Sequence, residues 1–424
     1  MEDGNHGNDR PRPEEFGSGN TAFIRAADMD GGRVLFESAD KINDVALARI
    51  RKGKGKPGDI LFSSKGTVGK LSIVQMDAPP FICSPQTTYW RTLDENKLNR
   101  SFLYAFMQSS WFTDQWEAIK GDTDMADYAS LTSQRKFRVP LPDIKFQRTV
   151  ASVFRPLDDK IELNRRMNRT LEELAAALFR SWFVDFDPAV AKAGGRKPAH
   201  LCPDLAALFP AHFQDSPLGP IPHGWRVASL SEIAAVNARK LPRDYPHKEI
   251  EYLDISSVTE GVITGTTRVK RDSAPSRAQR LVAHGDTIWS CVRPNRRSFA
   301  LIQDPPENMV VSTGFATLSP TCDSAALVYT ATTTDDFTDY LTAHAEGSAY
   351  PAVRPETFET APLVVPTVEV LSAFEATVAP WLAQVAHNIR ESRTLAALRD
   401  TLLPKLLSGE LRVKTAEKEL ASHA

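Results

Sequence analysis

The C-terminal half of this chain repeats its N-terminal half. With Pro142 set against Pro366, Val150 meets Phe374, Phe154 meets Val378, Pro156 meets Pro380 and Asn164 meets Asn388, with no gap. Thr170-Leu171 then meets Thr394-Leu395, Leu178 meets Leu402 and Trp182 meets Leu406. Upstream, Gly58-Asp59-Ile60-Leu61-Phe62 returns as Gly285-Asp286-Thr287-Ile288-Trp289 at nearly the same offset. Solenoid units run to only about 20–50 residues. The longer spacing here predicts a duplicated domain plus a duplicated helix, an arrangement suited to a target with two similar halves. A chain of 424 residues is expected to hold two cores rather than one.

The segments follow from local pattern. After a polar stretch over 1–20, the strand-like runs Asp59–Phe62 and Leu71–Val74 flank a turn carrying Gly66 and Gly69, and Phe102–Met107 has helical character. These define an α/β unit over 21–143. Residues 144–186 read as one long helix, whose apolar positions Val150, Phe154, Leu157, Ile161, Leu171, Leu178 and Trp182 step by fours and threes as in a coiled-coil seam. The stretch 187–222 carries Pro188, Pro198, Pro203, Pro210, Pro217, Pro220 and Pro222 and reads as a connector. Residues 223–366 repeat the α/β unit. Residues 367–412 repeat the helix through Phe374, Val378, Trp381, Val385, Leu395, Leu402 and Leu406, with Gly409 closing it and Pro404 expected to kink or end it. A polar tail covers 413–424.

Each helix of about 40 residues would run roughly 60 Å, too long to bury its seam on its own small domain. The fold class expected is therefore α/β (α+β): two duplicated α/β domains separated by two long helices that form an antiparallel intramolecular coiled coil. Asn164 and Asn388 fall on that seam at equivalent positions. A buried amide there fixes register, because a slipped pairing leaves it without a partner; the alternative places both on the solvated edge.

The net charge of −2 argues against a polyanion partner only if charge is evenly spread. Between Arg49 and Lys70 there are seven basic residues against Asp59 alone, and between Arg268 and Arg297 eight against Asp272 and Asp286. Both basic segments surround the repeated Gly-Asp pair, which points to a polyanion-binding face in each unit. No apolar run of about 18 residues predicts a membrane span, and the polar first twenty residues do not resemble a signal peptide. Cys83, Cys202, Cys291 and Cys322 lack a paired spacing, which fits a reducing cytoplasm and neither a zinc nor a disulfide framework.

Motifs for chemistry fail on inspection. Asp304-Pro305-Pro306-Glu307 approaches an amino-methyltransferase motif, but Glu307 stands where an aromatic must stack on a flipped base. Gly66-Thr67-Val68-Gly69-Lys70-Leu71 imitates a phosphate loop, yet Ser64 replaces its first glycine and Leu71 its magnesium-binding hydroxyl. The nine histidines have no metal-ligand spacing. Candidate DNA contacts are polar and basic residues on loops beside the repeated strands. In the first unit these are Ser63, Ser64, Lys65, Thr67 and Lys70, with Gln86, Thr87 and Tyr89. In the second they are Arg293, Asn295, Arg296 and Arg297, with Ser348, Tyr350 and Arg354. Trp90, Trp111 and Trp116 read as core.

Several segments carry a family resemblance. Gly58–Lys70 resembles the Gly-Asp-Ile-Leu…Gly-Thr…Gly stretch of specificity (S) subunits of type I restriction-modification systems. Val139-Pro140-Leu141-Pro142, Phe146-Gln147-Arg148 and Leu157–Ile161 resemble their first spacer, and Thr401–Leu411 their closing motif. Ile221-Pro222-His223-Gly224-Trp225 resembles the usual opening of their second unit, whereas the first unit has no such opening before Phe23-Ile24-Arg25.

The resemblance implies a sequence-specific DNA-binding subunit, not an enzyme on its own. Each α/β unit would be a target recognition domain for half of a bipartite duplex site. Two methyltransferase (M) subunits acting on adenine and endonuclease/translocase (R) subunits would supply the chemistry. No cofactor is expected in this chain; S-adenosylmethionine, ATP and magnesium belong to the partners. The residues also allow a non-catalytic protein-interaction scaffold or anti-restriction decoy built from the same domains.

Overall fold

The computed structural model describes residues 1–119, 128–348 and 350–412. It divides into two units, Met1–Arg166 with Ile389–Ala424, and Met167–Asn388, so the division crosses both long helices.

The first unit is built on two sheets. One has the spatial order Glu2–Asp3, Thr87–Trp90, Ile60–Ser63, Leu71–Ile73; the other has Lys41–Ile42, Phe16–Ile24, Phe81–Cys83, with the last two parallel. The second unit repeats this plan. Ala234–Val236, Phe315–Pro320, Thr287–Ser290 and Phe299–Leu301 form the first sheet. Thr267–Lys270, Glu249–Leu253, Met309–Ser312 and Ala278–Leu281 form the second, where Glu251–Leu253 runs parallel to Met309–Val311. Central strands such as Ile60–Ser63 and Thr287–Ser290 are buried at every residue, so they lack polar alternation.

The repeated Gly-Asp pair is a lock on the turn before the central strand. Gly58 and Gly285 have φ of 81° and 86°, a region that glycine enters without strain. Asp59 and Asp286, each 1% exposed, accept the N–H of the residue three before them, Lys56 and Ala283, at 2.7 and 2.8 Å. Each carboxylate is also held by an arginine distant in sequence, Arg91 (2.7 Å) and Arg239. Removing either arginine would strand a buried charge, which is why the motif recurs unchanged.

Two sequence assignments are corrected. Residues 1–20 belong to the first domain: Glu2-Asp3 pairs with Thr88-Tyr89, and the Glu2 carboxylate accepts from Gly53 N–H (3.0 Å) and the Tyr89 hydroxyl. This strand takes the edge position that Ala234–Val236 takes in the second unit. The proline-rich stretch 187–222 is folded into the second unit. It forms helices Asp187–Ala193 and Pro203–Ala207 and buries Ala189, Phe209 and Ile221 in the core around Trp225. Pro188 and Pro203 sit in first helical turns, where a missing N–H costs nothing.

The long helices run Ile144–Phe179, followed by a π-helical turn Arg180–Val184, and Val368–Leu407. Pro404 lies inside the second without ending it; Gly409 (φ 78°) does so, with Leu411 N–H on the Lys405 carbonyl. Within each unit the two helical segments pack antiparallel. In the first, Asp158 pairs with Arg399 (3.0 Å) and Lys160 with Glu391 (3.1 Å), over a core of Val150, Phe154, Leu157, Ile161, Leu395 and Leu402. In the second, Phe179 and Trp182 pack on Phe374, and Asn168 bonds Asn388. Asn164 and Asn388 are both buried and both bond across the pair, Asn164 to Glu391 and Ser392, Asn388 to Asn168. The tail 413–424 lies outside the described residues.

Candidate nucleic-acid interface

In each unit the central strand leaves its Gly-Asp lock at one end and enters a hairpin turn at the other. Four residues beyond the equivalent Phe62 and Trp289 stand Gly66 (φ 78°) and Arg293 (φ 52°). Two residues before the returning strand stand Gly69 (φ 103°) and Arg297 (φ 53°). The second unit therefore places arginines where the first places glycines, at a cost of about 1–2 kcal/mol each for an L side chain in the left-handed region.

A second segment, just before the short helices Leu131–Gln134 and Pro355–Glu359, closes over each turn. In the first unit Lys65 bridges Tyr128, Ala129 N–H donates to the Ser64 carbonyl at 2.8 Å, and the Lys65 ammonium lies 5.7 Å from the Tyr128 ring. In the second, Val292 bridges Ala352, Arg293 N–H donates to the Pro351 carbonyl at 2.6 Å, and the Arg293 guanidinium lies 4.5 Å from the Tyr350 ring. Tyr128 is 40% and Tyr350 70% exposed.

The sequence candidates separate into presented and committed residues. Lys65, Thr67, Gln86, Asn295, Arg296, Ser348, Tyr350 and Arg354 are exposed. Arg354 pairs with Glu346 at 2.9 Å. Lys70 is exposed along its length, but its ammonium caps the Ala26 and Met29 carbonyls at 3.0 and 3.2 Å. Ser63, Ser64, Thr87 and Tyr89 are buried and corrected to structural roles. The Ser63 hydroxyl accepts from Lys70 N–H and donates to the Thr67 carbonyl, and Ser64 donates to the Gln86 carbonyl. Thr87 meets the Ser84 hydroxyl and Tyr89 the Glu2 carboxylate. Arg297 is likewise committed: it reaches Glu260 (2.6 Å), Asp335 (2.7 Å), the Thr338 hydroxyl and the Thr333 carbonyl. Trp111 is 40% exposed rather than core.

Part of each basic segment is also structural. Arg49 clamps Glu15 at 2.5 Å, and together with the Arg12 N–H it holds that carboxyl down at about 2. Arg268 pairs with Glu249, and Arg271 caps the carbonyls of Pro242, Arg243 and Tyr245. Arg280 is bonded to Asn237 and the Phe315 carbonyl, and burial lowers its pKa. Arg51, Lys52, Lys54, Lys56 and Arg296 remain on the surface. The N-terminal stretch adds a cavity of about 490 Å³ lined by Arg10, Arg12 and Arg25. Tyr128 was missed by sequence reading, although the Pro142–Pro366 alignment carries it onto Ala352, two residues after the singled-out Tyr350. Among the described residues no group of three or more His, Cys, Asp or Glu is placed to hold a metal ion, and no helix is long and apolar enough to cross a membrane.

Residues 8–173 match the type I restriction modification DNA specificity domain. The chain is 25% identical to the type I restriction enzyme HindI specificity subunit of Haemophilus influenzae, over 92% of this chain and 94% of that one. It is 20% identical to the MjaIX specificity subunit of Methanocaldococcus jannaschii, over 95% and 89%. Among solved structures, the S subunit of a type I restriction-modification system from M. genitalium has the same fold, with a TM-score of 0.51, 15% identity, and 96% and 93% of the two chains covered. Residues 8–173 are thus similar to the type I restriction modification DNA specificity domain, and the chain is similar to type I specificity subunits over nearly its whole length.

Proposed function

We propose that this chain is the sequence-reading subunit of a type I restriction-modification complex, binding duplex DNA and lacking catalytic groups of its own. In this reading each α/β unit contacts one half of a bipartite target. The long helices set the separation of the halves and dock two methyltransferase subunits, which with endonuclease/translocase subunits bring S-adenosylmethionine, ATP and magnesium. The observation that carries the reading is the repetition at one end of each unit: a hairpin turn bearing cations and exposed polar groups, closed by a segment with an exposed tyrosine. Two similar presenting surfaces in one chain suit a target read in two parts. The interface candidates are Lys65, Thr67, Gln86, Asn295, Arg296, Ser348, Tyr350 and Arg354, with Arg293 and Tyr128.

The test has two arms. Affinity for a duplex, measured against salt, should fall steeply, because neutralised phosphates release counterions. Sequencing methylated adenines in a host with and without the gene should reveal a two-part motif that depends on it. Salt-independent or absent DNA affinity would instead favour a protein-binding scaffold.

A further inference from the structure

We propose that the two cation–tyrosine pairs, Lys65 with Tyr128 and Arg293 with Tyr350, are the base-contacting elements of their units. This rests on the DNA-reading function proposed above and names the side chains that carry it out.

The buried Asp59 and Asp286 recur at equivalent positions and hold equivalent backbone N–H groups. The cation–tyrosine pairs recur in the same place but on different residues. Lys65 is equivalent to Val292, and Tyr128 to Ala352, through the bridges that join turn to closing segment. The second unit rebuilds the pair one residue later in the turn, on Arg293, and two residues earlier in the closing segment, on Tyr350. The same kind of pair therefore stands at the same place in both units, on a surface that the duplication presents twice.

Two further observations agree. Both tyrosines are well exposed, so neither ring is needed to fill a core. Arg293 also occupies a left-handed position that its counterpart Gly66 fills without strain. Strain of this kind persists where surrounding structure imposes it, and it clusters at functional sites. A tyrosine backed by a cation offers an aromatic face and a hydroxyl to base edges, and the cation is suited to the flanking phosphate. Because one pair uses lysine and the other arginine in a different register, the two half-sites should differ in sequence.

The experiment uses the full chain assembled with its methyltransferase subunits and a random-sequence duplex pool as probe, with the bound fraction sequenced. The wild-type complex should enrich a two-part motif. Tyr350→Ala should erase base preference in one part and weaken binding to the wild-type motif roughly 5- to 100-fold. Tyr128→Ala should do the same to the other part alone. Arg293→Gly fits the left-handed backbone, so its melting temperature should hold while binding weakens at the Tyr350 part. Tyrosine variants that enrich the wild-type motif with unchanged affinity would overturn the proposal while leaving the DNA-reading function standing. So would variants that lose affinity equally for all sequences. A wild-type complex that enriches nothing would sink both.

Discussion

Arg296 and Arg297 are adjacent, equally charged and carried on the same turn, yet they should fail in opposite ways when removed. Arg297 is the committed one. Its side chain is 24% exposed and donates to Glu260 (2.6 Å), Asp335 (2.7 Å), Thr338 (3.1 Å) and the Thr333 carbonyl (3.0 Å). The two carboxylates are 59% and 94% exposed, so each ion pair is worth only about 0–1 kcal/mol. The donations to the threonine hydroxyl and the carbonyl add about 1 kcal/mol each. Alanine keeps the same left-handed φ of 53° and relieves nothing. The sum is about 2–4 kcal/mol for Arg297→Ala, which in a unit of about 220 residues is a fall of roughly 4–16 °C in melting temperature. Arg297→Gly loses the same contacts but regains about 1 kcal/mol of backbone strain, so it should melt between wild type and alanine. Arg296→Ala should stay within about 0.5 kcal/mol of wild type. It should instead weaken DNA binding, by about 1–3 kcal/mol if a base edge is read, or by a salt slope flatter by about one if only phosphate is met. Differential scanning calorimetry with a duplex titration separates these effects. An Arg297→Ala protein that melts like wild type, or an Arg296→Ala protein that melts as low as Arg297→Ala, would refute the division of labour.

Three other outcomes are expected. Glu15 ionises near 2 in the folded chain against 4.5 for a free carboxyl, because Arg49 and the Arg12 N–H stabilise its anion. A depressed acid stabilises the fold above its unfolded pKa and stops doing so as pH falls through the folded one. Glu15→Gln should therefore be less stable than wild type at pH 7, with the gap closing between about pH 4.5 and 2 in acid melts. Adding one heptad to both long helices in matched register should lengthen the unspecified spacer of the methylated motif and leave both half-sites unchanged, because a heptad adds about 10 Å of helix; an unchanged spacer would reject the ruler role. Replacing residues 221–366 by the equivalent unit of a relative should change one half-site only, and a change in both would reject independent reading.

The duplication, the two long helices and the order domain, helix, domain, helix were legible in the chain itself, because they rest on periodicity, which is local, and on self-similarity, which needs no partner. Gly66 and Gly69 could be placed in a turn because glycines between two strand-like runs are a local signal. The role of Asp59 and Asp286 could not, since their partners Arg91 and Arg239 come from elsewhere in the chain. The polar N-terminal stretch looked detached because its strand is made by backbone pairing to Thr88-Tyr89, which composition does not register. The proline-rich segment looked like a linker because proline counts report where helices cannot continue, not what packs between them. The interface was the least legible part. Sequence reading singled out the turns after the repeated strands, but charge and polarity alone cannot separate Arg296, which faces solvent, from Arg297, which is spent on Glu260 and Asp335. Nor could they bring Tyr128 to Lys65 or Tyr350 to Arg293. Those contacts exist because a closing segment some sixty residues away pairs with the turn, and long-range pairing is decided by the folded backbone.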